Sequence, residues 1–307
     1  MPNKWWQYQR ERFPVVAHGA LILAFSLSAI CFSASLRGIG TDGVSLPSLR
    51  AAIVAFITSF LFFLQLRIAD EFKDFEEDAR FRPYRPVPRG LITLRELKWV
   101  FILAGMAQAL LALIHNPLLL VYLGITWLYL AGMSKEFFVR GWLTSRPVLY
   151  LLSHMAIMPL IDLYVTGCDW GNHQKTPPSG IVWFLVVSYF NGIVIELGRK
   201  IRSPEDEEHG VETYSFLWGR KRAVMAWWMA MILTALFAAV AASRLNMIVP
   251  IGAVLLLLLV AGIWIGQRFL GDPSPGRGKS IEGYSGAWTV LMYLTLGVLP
   301  LVIRILG

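Results

Sequence analysis

Long apolar runs recur along the chain, separated by short polar stretches. Nine are predicted to form elements: Pro14–Ser33, Ala51–Ala69, Glu96–Ile114, Leu118–Met133, Pro147–Thr166, Ile181–Leu197, Ala223–Ala242, Met247–Ile265 and Gly286–Ile305. Each has roughly the 20 apolar residues that cross a bilayer as a helix. In lipid every backbone group must find its partner inside its own segment, so these runs are helices. The loops between them leave no room for a soluble domain. The expectation is one all-α integral membrane domain over residues 1–307. The first run follows Lys4, Arg10 and Arg12, as in a signal peptide. Its length, with eight more spans behind it, predicts a retained helix.

The composition agrees. The chain is 56% hydrophobic and 16% charged, where soluble domains carry about 25% charged residues. Cys31 and Cys168 are too few for a disulfide framework. Buried free thiols are expected, although both fall toward one membrane face and a single bridge stays open. The net charge is +8, and its distribution matters more than its size. Of the 28 Lys and Arg, 22 fall at the N-terminus and in the loops after the second, fourth, sixth and eighth helices. Five fall on the other side, and Arg67 lies within the second helix. Basic excess marks the cytoplasmic side. The expected protein sits in the inner or plasma membrane, with its N-terminus and the even-numbered loops in the cytoplasm. The charge is a topology signal, and no nucleic-acid partner is expected.

The second helix ends in "RIADEFKDFEEDARFRPYRPVPRG", from Arg67 to Gly90. Asp70, Asp74 and Asp78 are spaced i, i+4, i+8. On one helix they drift about 40° per step and make a stripe about 12 Å long. Glu77 falls on the stripe, Glu71 lies beside it, and Phe72 and Phe75 point away. Like charges at this spacing destabilise a helix by about a few tenths of a kcal/mol per pair. A row of them therefore points to a bound cation. Mg²⁺ takes oxygen ligands, commonly one or two carboxylates plus substrate phosphates. A solvated acidic helix end is the plainer reading. Behind the stripe, Pro83, Pro86 and Pro88 rule out a continuing helix. The turn presents Arg80, Arg82, Arg85 and Arg89, whose planar forks suit phosphate. Alone, that turn would read as an ordinary basic loop.

Together these residues resemble the first motif of the UbiA superfamily of intramembrane prenyltransferases. Its pattern is Asn-Asp-x-x-Asp-x-x-x-Asp, then Arg-Pro-x-Arg-Pro-hydrophobic-Pro-x-Gly. Asp70 stands in the Asn place and Glu71 in the first Asp place. Asp74, Asp78, Arg82, Pro83, Arg85, Pro86, Pro88 and Gly90 match directly. "RFPVVAHG" from Arg12 is a weaker match to the family's start. The nine-helix count fits too, so the resemblance covers essentially the whole chain. It implies a UbiA-like bundle with a lateral opening to lipid, where Mg²⁺ assists ionisation of an isoprenyl diphosphate. Asp74 and Asp78 are then the catalytic acids, in a metal set with Asp70, Glu71 and Glu196. The diphosphate set is Arg82, Arg85, Lys135, Asn191, Arg199 and Lys200.

The second motif departs from the family. The sixth helix ends "NGIVIELGRKIRSPEDEEHGVETYSFLWG", four helices after the first motif and so on the same side. Glu196 is its acid. One turn on, where the family usually has more acid, stand Arg199 and Lys200, with Arg202 beyond. These cations suit the diphosphate directly, or lipid headgroups. Glu205, Asp206, Glu207 and Glu208 follow Pro204 as a loop. Asn191 lies about 140° around the helix from Glu196, a poor match to one face. The segment is more similar to UbiA-type terpene cyclases, in which the allylic cation attacks itself. Transfer of the prenyl group to an aromatic or other lipophilic acceptor is the alternative. Aromatic faces stabilise cations by about 0.5–2 kcal/mol each, but 12 Trp, 10 Tyr and 18 Phe suit either reading.

Lys135, after the fourth helix, is similarly placed to a basic residue of the family, or is a boundary lysine. His154 and Asp162 lie within the fifth helix on roughly one face. Ionisable groups inside a membrane are functional by default, with His154 a base for the cation, or else the two form a structural pair. A transporter is a further reading. It would carry its acids near the bilayer midplane, whereas this stripe lies at a helix end.

Overall fold

The computed structural model describes residues 3–40 and 44–306, and among these all regular structure is helical. The helices are α1 Lys4–Arg12, α2 Val15–Arg37, α3 Leu49–Lys73, α4 Phe75–Phe81, α5 Leu94–His115, α6 Leu119–Ser134 and α7 Arg140–Thr144. They continue with α8 Pro147–Met155, α9 Ile157–Trp170, α10 Ile181–Arg199, α11 Tyr214–Trp218, α12 Arg220–Ser243, α13 Ile248–Gly271 and α14 Arg277–Leu306. Counting α8 and α9 as one, eight helical segments are long and apolar enough to cross a membrane, and α6 is a shorter apolar helix. They fall on the nine predicted runs. Several extend past the apolar stretch, most of all α14, which starts at Arg277 instead of Gly286. A helix ends where its backbone is capped, not where hydropathy falls. Thus Ser48 Oγ accepts from the Ala51 amide at the start of α3. At the start of α5, Thr93 and Glu96 close a capping box.

The fifth run is one predicted helix but two observed ones, with Ala156 between α8 and α9. Tyr129 Oη donates to the Ser153 carbonyl at 2.6 Å and Tyr189 Oη to the Leu152 carbonyl at 3.1 Å. Hydroxyls inserted into the carbonyl ladder interrupt a helix.

The spans close into a ring. α2 packs on α3, α3 on α5 and α5 on α6; in parallel, α9 packs on α10, α10 on α12 and α12 on α13. The neighbour order therefore repeats. α9 also packs on α2, α3 and α6, and α14 joins α13, α10 and α2. Small residues allow the closest crossings, as membrane bundles require. A Cβ at Gly297 would lie 2.1 Å from the Ser28 carbonyl oxygen, so α14 meets the α2 backbone there. A Cβ at Gly198 would lie 1.9 Å from Ser285 Oγ. At one end of the bundle, Arg37 pairs with Asp169 at 2.7 Å and ties α2 to α9. Cys31 and Cys168 are both free and buried. The opposite end carries both acidic motifs.

Candidate active site

The acidic stripe is not one straight helix. α3 ends at Lys73, and Asp74 joins it to α4 with φ −94° and ψ 5°. The Asp78 amide still bonds to the Asp74 carbonyl at 2.8 Å, so the joint is tight. Its consequence is a division of labour among the acids. Asp78 is buried, with Arg82 Nη2 at 2.8 Å from one oxygen and Arg85 Nη1 at 2.6 Å from the other. The proline turn folds back on its own motif, and two arginines assigned to diphosphate hold Asp78 instead. Glu71 is also buried and pairs with Arg12. Of the metal set expected from the sequence, Glu71, like Asp78, is a member whose charge a guanidinium already meets here. The pairing also gives the "RFPVVAHG" segment a physical reason, which is to supply that guanidinium. Asp70 and Asp74 face no arginine within ion-pair distance among the described residues. Glu77 is exposed, away from the buried Asp78. Burial raises the Asp74 carboxyl above its ordinary range. Lys73 opposes that rise, and Asp70, Asp78 and Glu77 add to it.

The second motif meets the first. The Phe81 ring at the end of α4 lies 6.0 Å from the His209 ring of the loop after α10, a Cβ at Gly210 would lie 2.5 Å from Phe81, and the charge of Lys73 reaches Glu196 of α10. Glu196 carries two cations of its own, Lys200 at 2.9 Å and Arg199 at 3.6 Å. Lys200 also lies over the Tyr214 ring at 5.6 Å. The acids after Pro204 build the loop: Asp206 accepts the Gly276 amide, and Glu207 accepts the hydroxyls of Thr213 and Ser215. Asn191 does not join the site. It is buried in the α10–α14 contact, with Nδ2 toward the Thr289 carbonyl at 3.4 Å, as its poor angular match to Glu196 implied. That corrects its assignment to the diphosphate.

Sequence reasoning missed Glu136. Lys135 is exposed, and the next residue carries the buried charge. Lys73 donates to Tyr150 Oη at 2.8 Å, Tyr150 Oη donates to Glu136 at 3.1 Å, and His154 Nε2 lies 3.2 Å from the other Glu136 oxygen. The His154 ring stacks on Tyr150 at 3.9 Å. Burial pushes the Glu136 carboxyl up, but His154, Lys73 and Tyr150 outweigh it and hold it below its ordinary value. Glu136, Phe137 and Phe138 have φ of 50°, 51° and 63°. Left-handed backbone at such residues costs about 1–3 kcal/mol each and persists where the surroundings fix it. The sequence signal that could have found this arrangement is Lys73, a lysine set inside an acidic motif. His154 and Asp162 are not a pair: Asp162 is fully buried and accepts from Tyr293 Oη at 2.9 Å.

The family described as the UbiA prenyltransferase family matches residues 38–281. This chain belongs to that family. No curated protein sequence matches it. Among solved structures, a UbiA homologue from Aeropyrum pernix K1 aligns over 94% of this chain and 98% of its own, at 14% identity and a TM-score of 0.69. A structure described as giving insight into digeranylgeranylglyceryl phosphate synthase in membranes covers 97% and 99%, at 15% identity and 0.64. A UbiA homologue from Archaeoglobus fulgidus bound to DMAPP and Mg²⁺ covers 95% and 99%, at 14% identity and 0.57. These identities show a shared fold.

In this UbiA-family chain, no three acidic, histidine or cysteine side chains gather as a metal cluster among the described residues. The chemistry that remains still suits Mg²⁺. Asp70 and Asp74 offer hard oxygens free of arginine, and two carboxylates completed by phosphate oxygens make an ordinary Mg²⁺ site.

Proposed function

We propose that this chain is an Mg²⁺-dependent intramembrane enzyme that ionises an isoprenyl diphosphate, C15 or C20, and closes the allylic cation on itself to give a cyclic terpene. The observation that carries the reading is the meeting of two motif ends at one end of a helical bundle, above a core of paired aromatic rings. Asp70 and Asp74 would hold Mg²⁺, which when bound neutralises charge on the departing diphosphate. Lys200 and Arg199 stand at the open end to receive the phosphates, as half-exposed or exposed cations. The allylic C–O bond breaks with its electron pair leaving on the diphosphate. Below, Phe25 meets Phe63 and Tyr293, Phe32 meets Phe184, and Phe62 meets Tyr164. Six of these seven rings are fully or nearly fully buried, and an aromatic face stabilises a cation that it meets away from water. A double bond of the same chain then attacks the cation, and loss of a proton ends the reaction.

The second reading is transfer of the prenyl group to an aromatic or other lipophilic acceptor. The description of the matched family favours it. Both readings share the first step and the orientation we propose, with the N-terminus and both motifs in the cytoplasm. Purified protein with Mg²⁺ is expected to release pyrophosphate from a C15 or C20 allylic diphosphate. No release from either, with or without added membrane extract, would remove the enzymatic reading.

A further inference from the structure

Most acids that the two motifs bring together are already matched by cations. Glu71 lies on Arg12, Asp78 between Arg82 and Arg85, and Glu196 against Lys200 and Arg199. Of the three stripe aspartates, two have no arginine on them, Asp70 and Asp74, and a lysine stands between them in the sequence. The Lys73 ammonium is 4.0 Å from Asp70 Oδ1 and 3.8 Å from Glu136 Oε1, and it feels the Asp74 charge. Its charge also reaches Glu196 across the bundle. The ammonium therefore stands where the acids of both motifs converge. An ammonium and a divalent ion compete for such a position, because both answer the same oxygens.

We propose that the diphosphate site uses a single divalent ion, held by Asp70 and Asp74 with phosphate oxygens, and that the Lys73 ammonium supplies the cation of a second ion. This rests on the diphosphate reading above. Lys73 keeps 18% of its side-chain surface open, and its ammonium has three protons, of which Tyr150 Oη takes one. Its other partners fix it from behind. Tyr150 Oη accepts one of its three protons at 2.8 Å, and Glu136 lies on the same side, anchored in its turn by His154. Three successive left-handed residues bring Glu136 there. Glu136 and Tyr150 are positioning residues, and Lys73 is the group that touches the diphosphate. Ammonium and phosphate oxygens form charge-assisted hydrogen bonds, among the stronger kinds.

The test counts ions and measures inorganic pyrophosphate, not turnover. Mn²⁺ replaces Mg²⁺, and paramagnetic resonance counts the ions bound per protein–pyrophosphate complex in detergent. One ion is expected, and two or more would overturn the proposal while leaving the diphosphate reading intact. Failure of the unmutated protein to bind pyrophosphate with Mn²⁺ would instead sink both. Lys73→Met is expected to weaken pyrophosphate binding by about 10-fold or more at saturating Mn²⁺, the size of one hydrogen bond to a charged group. The ion count should stay at one, and Lys73→Arg should restore most of the affinity. Unchanged pyrophosphate affinity in a folded Lys73→Met protein would return Lys73 to a purely structural pairing. The ion count needs no variant, so the proposal is decided even if Lys73→Met fails to fold.

Discussion

Asp74 sits at the joint between α3 and α4 with no arginine on it, while Asp78 is buried between Arg82 and Arg85. The two should fail differently. On the proposed reading, Asp74→Asn removes an acid from the ion at the leaving group, where metal charge is worth several kcal/mol. Pyrophosphate release should fall by about 100-fold or more, with an unchanged melting temperature in detergent. Asp78→Asn leaves two guanidinium groups short of their partner. Breaking a buried pair costs about 3–5 kcal/mol, less here because both arginines keep some exposure. Its melting temperature should fall together with its activity. Equal melting temperatures for the two variants would contradict the division between them. Arg12→Ala belongs to the Asp78 class. It strands the buried Glu71 carboxylate and should lower the melting temperature, and Glu71→Gln added to it should recover part of that loss. The spacing puts Asp70, Asp74 and Asp78 on one helix end, whereas the structure leaves Asp70 on α3, Asp74 at the joint and Asp78 in α4. The sequence did not reveal which acids are already neutralised, because Arg12 lies 59 positions from Glu71 and no local pattern couples them.

At the scale of elements, the ends of helices carry the site and their crossings carry the bundle. The spans were legible because bilayer thickness fixes their length and backbone satisfaction fixes their form. The break at Ala156 was not, since it comes from hydroxyls of Tyr129 and Tyr189 on two other helices. The turn at Glu136–Phe138 was not legible either. Its three left-handed residues include no glycine, so nothing local announces it, and tertiary contacts to Lys73, Tyr150 and His154 determine it. Crossings give a direct test. Gly297→Ala drives a methyl group into the Ser28 backbone, and backbone cannot yield as a side chain does. It should lower the melting temperature clearly, as overpacking by one methyl costs about 1–3 kcal/mol. Gly252→Ala, with nothing within 4 Å of the added carbon, should not lower it. A Gly297→Ala protein as stable as the Gly252→Ala control would contradict the α2–α14 contact.

For the whole molecule, the parallel orders α2–α3–α5–α6 and α9–α10–α12–α13 put the C-terminal ends of α3 and α10 in equivalent places. Both motif ends then lie at one end of the bundle, and the basic asymmetry is the ground for the proposal that this end is cytoplasmic. A reporter active only in the cytoplasm should be silent when fused after Gly307, which lies outside the described residues, and active when fused at the N-terminus. A cytoplasmic signal from the C-terminal fusion would reverse the orientation. The reading of a terpene cyclase rests on the sparse second motif, where Glu196 is matched by Lys200 and Arg199, and on the buried rings beneath both motifs. Gas chromatography–mass spectrometry of an acceptor-free reaction tests it most directly, with purified protein, Mg²⁺ and a C15 or C20 isoprenyl diphosphate. The account predicts a cyclic hydrocarbon or alcohol from one of the two chain lengths. No cyclic product from either, with a prenylated compound formed once membrane extract is added, would contradict it.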